Sequence, residues 1–145
     1  MKEIEVRAII EEGCEIAYAK IGDAGMDLKA NIQEPITLKP LERALIPTGV
    51  KIALPAGTEA QVRPRSGMAY KHGISVLNTP GTIDEGYRGD IGVIAVNLSN
   101  EEYTIQPKER IAQLVFKEYL HAKINIVDTL DETDRGTGGF GHTGK

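Results

Sequence analysis

The sequence has no tryptophan and a single cysteine, and aromatic residues make up only 5% of its 145 positions. Its core must therefore come from Val, Ile, Leu and Ala, and the β-branched members of that set lean the chain towards sheet. Cys14, being alone, excludes an intramolecular disulfide and a cysteine-based zinc cluster, and it points to a reducing compartment. No apolar run approaches the ~20 residues that a membrane helix requires. Residues 1–10 mix charged with apolar side chains, which is not the pattern of a secretion signal. Positive charge is also in short supply, since 17 Lys and Arg face 21 Asp and Glu for a net charge of −4. A general nucleic-acid binder needs a basic face to displace counterions from phosphates, so that class is set aside. A small anion met by a few local cations is not excluded. The expectation is a cytoplasmic, soluble, single-domain protein without a membrane or nucleic-acid partner.

What the chain does have is punctuation, with 16 Gly and 7 Pro among short apolar runs. Charged residues alternate in part with Ile4, Val6 and Ala8 before Ile9 and Ile10, the pattern of a half-buried opening strand. Residues 22–30 read as a turn entering a strand, and further strands are predicted at 36–39, 44–46, 50–54, 59–63, 74–77, 91–98, 111–119 and 122–127. Many short strands at this spacing suggest a sandwich or barrel. One short helix is predicted over 66–73, capped by Ser66 at its start and closed by Gly73. From Asp128 the composition turns acidic and then Gly-rich. Such a tail cannot bury enough surface to order itself. Extended, its 18 residues reach about 60 Å, far enough to meet a neighbouring subunit. The division is thus a β core over 1–127 and a flexible arm over 128–145.

The segment Asn78 to Asp90 concentrates an amide, a carboxylate, a phenol, one Pro and three Gly between two strands, and loops held by rigid neighbours often carry function. Asp84 is ionised at neutral pH and can take a proton from water, although a turn-capping Asp accounts for the local sequence equally well. Asn78 and Tyr87 belong to the same candidate pocket. Arg65-Ser66-Gly67 at a helix start can gather N–H groups, a hydroxyl and a guanidinium on an anion; from the tripeptide alone an ordinary Ser cap is the simpler account. Gln113 interrupts an apolar strand and needs a partner if buried. Asp27 reads as structural, bonded to a turn or a water. In the tail, Arg135 can pair with a phosphate oxygen and Phe140 can stack on a base, against the alternative of an uninvolved terminus. The three histidines are too scattered for a metal site. Arg88-Gly89-Asp90 is better explained as a turn than as an adhesion motif.

Taken together, Ala24 to Leu28, Pro64 to Ala69, Asn78 to Asp90, Arg110 to Leu114 and Arg135 to Gly144 resemble, in order, the five motifs of the trimeric dUTPase family. The resemblance implies an all-β, distorted jelly-roll subunit with one short helix in a homotrimer, and hydrolysis of dUTP to dUMP and pyrophosphate. That activity limits uracil incorporation into DNA and supplies dUMP for thymidylate synthesis. By position, Asp84 would activate the attacking water, Asn78 with Thr82, Ile83 and their backbone would read uracil, and Tyr87 would pack on the deoxyribose. Arg65, Ser66, Gly67 and Gln113 would hold phosphates. Arg135, Phe140, Gly141, His142 and Thr143 would close the site from a neighbour's arm. Mg²⁺ is the implied cofactor, carried by the triphosphate and waters without a direct protein ligand. His142 departs from the family, which usually has Ser there. A deaminase of dCTP on the same fold, and a nucleotide-binding protein without catalysis, remain as alternatives.

Overall fold

The computed structural model describes residues 1–141. Eleven strands and one helix follow in the order β1 (Arg7–Ile10), β2 (Gly25–Lys29), β3 (Ile36–Leu38), β4 (Arg43–Pro47), β5 (Val50–Ala53), β6 (Thr58–Arg63), α1 (Ser66–His72), β7 (Ile74–Val76), β8 (Gly81–Ile83), β9 (Gly92–Asn97), β10 (Tyr103–Ile105) and β11 (Arg110–Glu118). They form a four-stranded sheet β2-β11-β6-β8, a three-stranded sheet β4-β9-β7, and the pairs β1-β5 and β10-β3. This is the expected all-β jelly roll, with a single short helix among the described residues.

The core is aliphatic, as the lack of aromatics requires. Leu28, Ile46, Val50, Ile74, Val76, Ile91, Val93, Ile105 and Leu114 are fully or almost fully buried, and no Phe or Tyr joins them. β6 alternates strictly, with Thr58, Ala60 and Val62 turned inward. Asn97 is buried but fully used. Its amide N–H₂ donates to Leu38 O and Glu101 O, and its oxygen accepts from Ser99 N. This ties the end of β9 to β3 and to the approach to β10.

Several expectations change. The opening strand is shorter and more exposed than its alternation suggests, since only Arg7–Ile10 pairs, against β5. Tyr103–Ile105 is a strand where the sequence offered only a polar turn and its surroundings. Residues 122–127 form no strand: among the described residues nothing pairs with them, and Ile124, Ile126 and Val127 stand exposed. Helix α1 begins at Ser66 with Arg65 as its N-cap, and no side chain caps it. Arg65 has the extended backbone, so Ser66 is already helical and its hydroxyl is not spent on the helix. Gly73 does close α1, in the left-handed region at φ 65°.

Candidate active site

Two groups of polar residues flank β6. The first is built where β2, β11 and the start of α1 meet. In the ladder, Gln113 of β11 stands opposite both Asp27 of β2 and Arg63 of β6. Asp27 does not bond to a turn, as the sequence suggested. Its carboxylate accepts from Arg65 Nε at 3.0 Å and lies 3.9 Å from Arg110 Nε. Arg65 also donates through Nη1 to Arg110 O at 3.1 Å. The guanidinium is thereby oriented, and its remaining donors are free among the described residues to meet an anion. Gln113 donates through Nε2 to Pro64 O at 2.8 Å. Its side chain occupies the space over Gly25, where a Cβ would run into the amide oxygen and lie 3.2 Å from Cδ. Ser66 and Gly67 are exposed at the head of α1.

Helix α1 is buttressed from beneath. Met68 is buried, and the Tyr103 hydroxyl lies 3.6 Å from its sulfur while bonding the Glu109 carboxylate. Burial, then the bond to Glu109, pushes the Tyr103 phenol up to about 12. A raised phenol binds its proton more tightly in the folded chain. That contribution to stability is complete below pH ~10 and is lost as pH rises through about 12. His72 packs its ring against that of Tyr103, with the centroids 4.9 Å apart.

The second group is the Asn78–Asp90 segment. It is not a simple loop, because Gly81–Ile83 within it forms β8 against β6. Nor is it a paired hairpin, since β7 pairs only with β9 and β8 only with β6, so residues 77–80 cross from one sheet to the other. Asn78 folds its carboxamide over Gly81, where a Cβ would lie 3.1 Å from Nδ2 and 3.5 Å from the Val62 Cβ. Asp84 follows β8 directly. Its carbonyl accepts from Tyr87 N at 3.1 Å, while its carboxylate is exposed and has no hydrogen-bond partner among the described residues. Those oxygens are free to hold a water and accept its proton.

Tyr87 donates its hydroxyl to Asp90 O at 2.8 Å. The ring lies so close over Gly89 that a Cβ there would stand 2.6 Å from Cζ. Asp90 in turn accepts from Thr48 N at 3.1 Å, and Thr48 Oγ1 donates to Ile91 O at 2.6 Å. Arg88 donates to Glu85 O and Tyr87 O. Both charges of Arg88-Gly89-Asp90 are therefore engaged within the chain, as a turn requires.

Register decides whether one chain can bring the two groups together. Gln113 stands opposite Arg63, whereas Ile83 stands opposite Ala60, so Asp84 continues towards Glu59 at the other end of β6. Four residues of strand separate the two levels, about 13 Å at ~3.3 Å per residue. Glu85 confirms the direction, because it bonds Tyr119 and Gly57, beyond the start of β6. A single chain thus holds the oriented Arg65 and the unpaired Asp84 apart.

The arm joins neither group. Among the described residues the hydrogen bonds of 128–141 are internal, such as Arg135 Nε to Gly138 O at 2.8 Å, and Phe140 is fully exposed. Gly141 is the last described residue, with φ 81°. His142 and Thr143 lie outside the described residues.

Comparison with known proteins supplies the family. A family model described as dUTPase matches residues 12–144. This chain belongs to the dUTPase family. The deoxyuridine 5'-triphosphate nucleotidohydrolase of Fusobacterium nucleatum is 59% identical over 146 residues, covering all of both chains. That of Clostridium novyi is 62% identical over 123 residues, 85% of each chain. The fold is also that of a mutant dUTPase of Staphylococcus bacteriophage 80alpha solved with dUpNHpp, at TM-score 0.84 and 24% identity, covering 96% of this chain and 98% of that one.

Within this dUTPase-family chain, sequence reasoning missed Gly25 and Gly89, which make room for Gln113 and Tyr87. It also missed Arg110, which shares Asp27 with Arg65. Their signal is a cross-strand or i+2 contact that no local pattern displays. Among the described residues no group of three or more His, Cys, Asp or Glu could by itself hold a metal ion, and no helix is long and apolar enough to cross a membrane.

Proposed function

We propose that this chain hydrolyses dUTP to dUMP and pyrophosphate, at sites formed where subunits of a homotrimer meet. The observation that carries this reading is the unpaired Asp84 carboxylate, set on a turn anchored at both ends yet held at the opposite end of β6 from Arg65 and Gln113. An attacking water and the groups that hold its target phosphate must converge to about 3 Å. With these elements some 13 Å apart along one strand, the site is completed by pairing Asp84 of one subunit with Arg65, Ser66, Gly67 and Gln113 of another. The exposed apolar run at 120–127 supports contact between subunits, since Leu120, Ile124 and Ile126 find no cover on their own chain.

In this arrangement Asp84 accepts the proton of a water as that water attacks the α-phosphorus. Asn78, Thr82, Ile83 and the backbone between them meet the uracil edge. A polar edge matched to uracil leaves unpaired groups against cytosine, and such mismatches discriminate by about 10⁴. Tyr87, braced by Asp90 O and seated on Gly89, presents its ring to the deoxyribose and excludes a 2′-hydroxyl. The arm of a further subunit brings Arg135 to the terminal phosphate and Phe140 over the base, with Gly141, His142 and Thr143 alongside. Mg²⁺ would be carried on the triphosphate with waters and would supply charge neutralisation there, with no direct ligand from Asp27, which is already committed to two arginines. Oriented N–H groups and Arg65 stabilise the charge developing on the phosphates.

Incubation of the purified protein with dUTP and Mg²⁺ is expected to release pyrophosphate. No release, or ammonia release from dCTP, overturns the reading. Gly89→Ala should displace the Tyr87 ring, lowering kcat/KM for dUTP by about tenfold and narrowing the preference for dUTP over UTP; steady-state rates with both nucleotides measure this. Asp27→Ala should free Arg65 and Arg110 from their common carboxylate and raise KM for dUTP by about fivefold. Its effect on melting temperature should be small, because the pair is partly exposed.

A further inference from the structure

The residue after Asp84 is tied down more firmly than Asp84 itself. Glu85 is half-buried, and its carboxylate bridges two separate parts of the chain. Oε1 accepts from the Tyr119 hydroxyl at 2.9 Å, just past the end of β11. Oε2 accepts from Gly57 N at 3.1 Å, in the turn between β5 and β6. These two anchors are joined to each other, since Tyr119 N donates to Gly57 O at 3.2 Å. Gly57 has φ 81°, a conformation in which a side chain would be strained, and its turn is fixed by Thr58 Oγ1 donating to Pro55 O at 2.7 Å. The triangle Glu85, Tyr119 and Gly57 is therefore closed on rigid strand ends.

Apart from Glu85, the side-chain and backbone bonds of residues 84–88 are local to the turn and reach no further than Asp90. Among the described residues, 84–88 otherwise have the bond from Tyr87 N to Asp84 O, the contacts of Arg88 with Glu85 O and Tyr87 O, and the Tyr87 hydroxyl's bond to Asp90 O. Gly86 is exposed, and nothing surrounds the place a side chain would take. Rotation of this turn would carry the Asp84 carboxylate away from any fixed target. We propose that Glu85 is a positioning residue for catalysis, its carboxylate clamped by Tyr119 and Gly57 so that the Asp84 side chain is presented at a fixed point to substrate held by another subunit. This rests on the reading of Asp84 as the general base.

Charge keeps the clamp assembled. The Tyr119 phenol is raised above its ordinary value, first by its hydrogen bond to Glu85, then by desolvation and by the nearby carboxylates of Glu85, Asp84 and Glu59. It therefore holds its proton, and remains a donor, at any pH where the carboxylates are ionised and ordinary phenols are neutral.

The test uses the full chain and the variants E85A, E85Q, Y119F and the double variant E85A/Y119F. E85A is expected to lower kcat for dUTP about tenfold with KM within twofold. Y119F should lower it less, and the double variant should match E85A, because both changes break one clamp. E85Q keeps an acceptor and should recover part of the rate. Hydrogen exchange read on peptides covering 84–88 should speed up in E85A and Y119F while β4 and β9 are unchanged. That readout needs no substrate, so it decides the clamp even if the native chain proves inactive on dUTP, which would be a failure of the functional reading alone. Unchanged exchange at 84–88 overturns the clamp. An unchanged kcat, a loss confined to KM, or additive losses in the double variant overturn its role in positioning Asp84.

Discussion

Asp84→Asn is expected to lower kcat for dUTP by about 10³-fold, or ~4 kcal/mol in the activation barrier, while affinity for a non-hydrolysable dUTP analogue stays within about threefold. The substitution keeps size and hydrogen-bonding reach but removes the basic oxygen. Because that carboxylate has no partner among the described residues, no ion pair there is broken and the fold should be indifferent to the change. A loss in kcat with unchanged binding is the mark of an interaction made only in the transition state. Calorimetric titration with the analogue and single-turnover rates give the two halves of the result. A near-normal rate would remove Asp84 from the chemistry and return it to the role of a turn residue.

Removal of residues 135–145 should cost about 10²-fold in kcat/KM while leaving the assembly intact. The core of the described structure makes no hydrogen bond to 128–141, so its strands lose nothing when the arm is cut. What is lost on the proposed reading is a guanidinium for the terminal phosphate and a ring over the base, both delivered from another subunit. Sedimentation would show the oligomer unchanged, and steady-state kinetics would carry the effect. Kinetics identical to those of the full chain would make the arm a mere terminus. Phe140→Ala alone should produce part of the same loss, since the ring is fully exposed on its own chain and contributes nothing to its packing.

How far these features could be read from the sequence depends on whether the signal was local. Glycines, prolines and polar side chains crowded between apolar runs pointed to Asn78–Asp90 and to Arg65-Ser66-Gly67, because turn chemistry is written in neighbouring residues. Strand β10 escaped, since Tyr103–Ile105 is too short to display a period, and it exists because Leu38, Thr37 and Ile36 pair with it. The opposite error occurred at 122–127, where alternation was present but a partner strand was not. Ser66 was credited with capping α1, yet the extended backbone of Arg65 takes that place. The bond from Glu85 to Tyr119 spans 34 residues, and nothing near either residue announces it. Most consequential, the motifs are close in the family's order yet lie at opposite ends of β6, a fact of register that sequence order does not carry.

The passage of residues 77–80 between two sheets has a consequence for how such a protein can change over evolutionary time. Asn78 leaves the three-stranded sheet, and Gly81 enters the four-stranded one with buried Val62 directly behind it. The spacing of the edge proposed to read uracil is therefore set by how the two sheets rest on one another, and that rests on buried aliphatic side chains. Drift among Val, Ile and Leu in this core is, on the proposed reading, felt as drift in the choice of pyrimidine. A library varied at Val62 and its neighbours, selected for a new base, should find its winners in the interior.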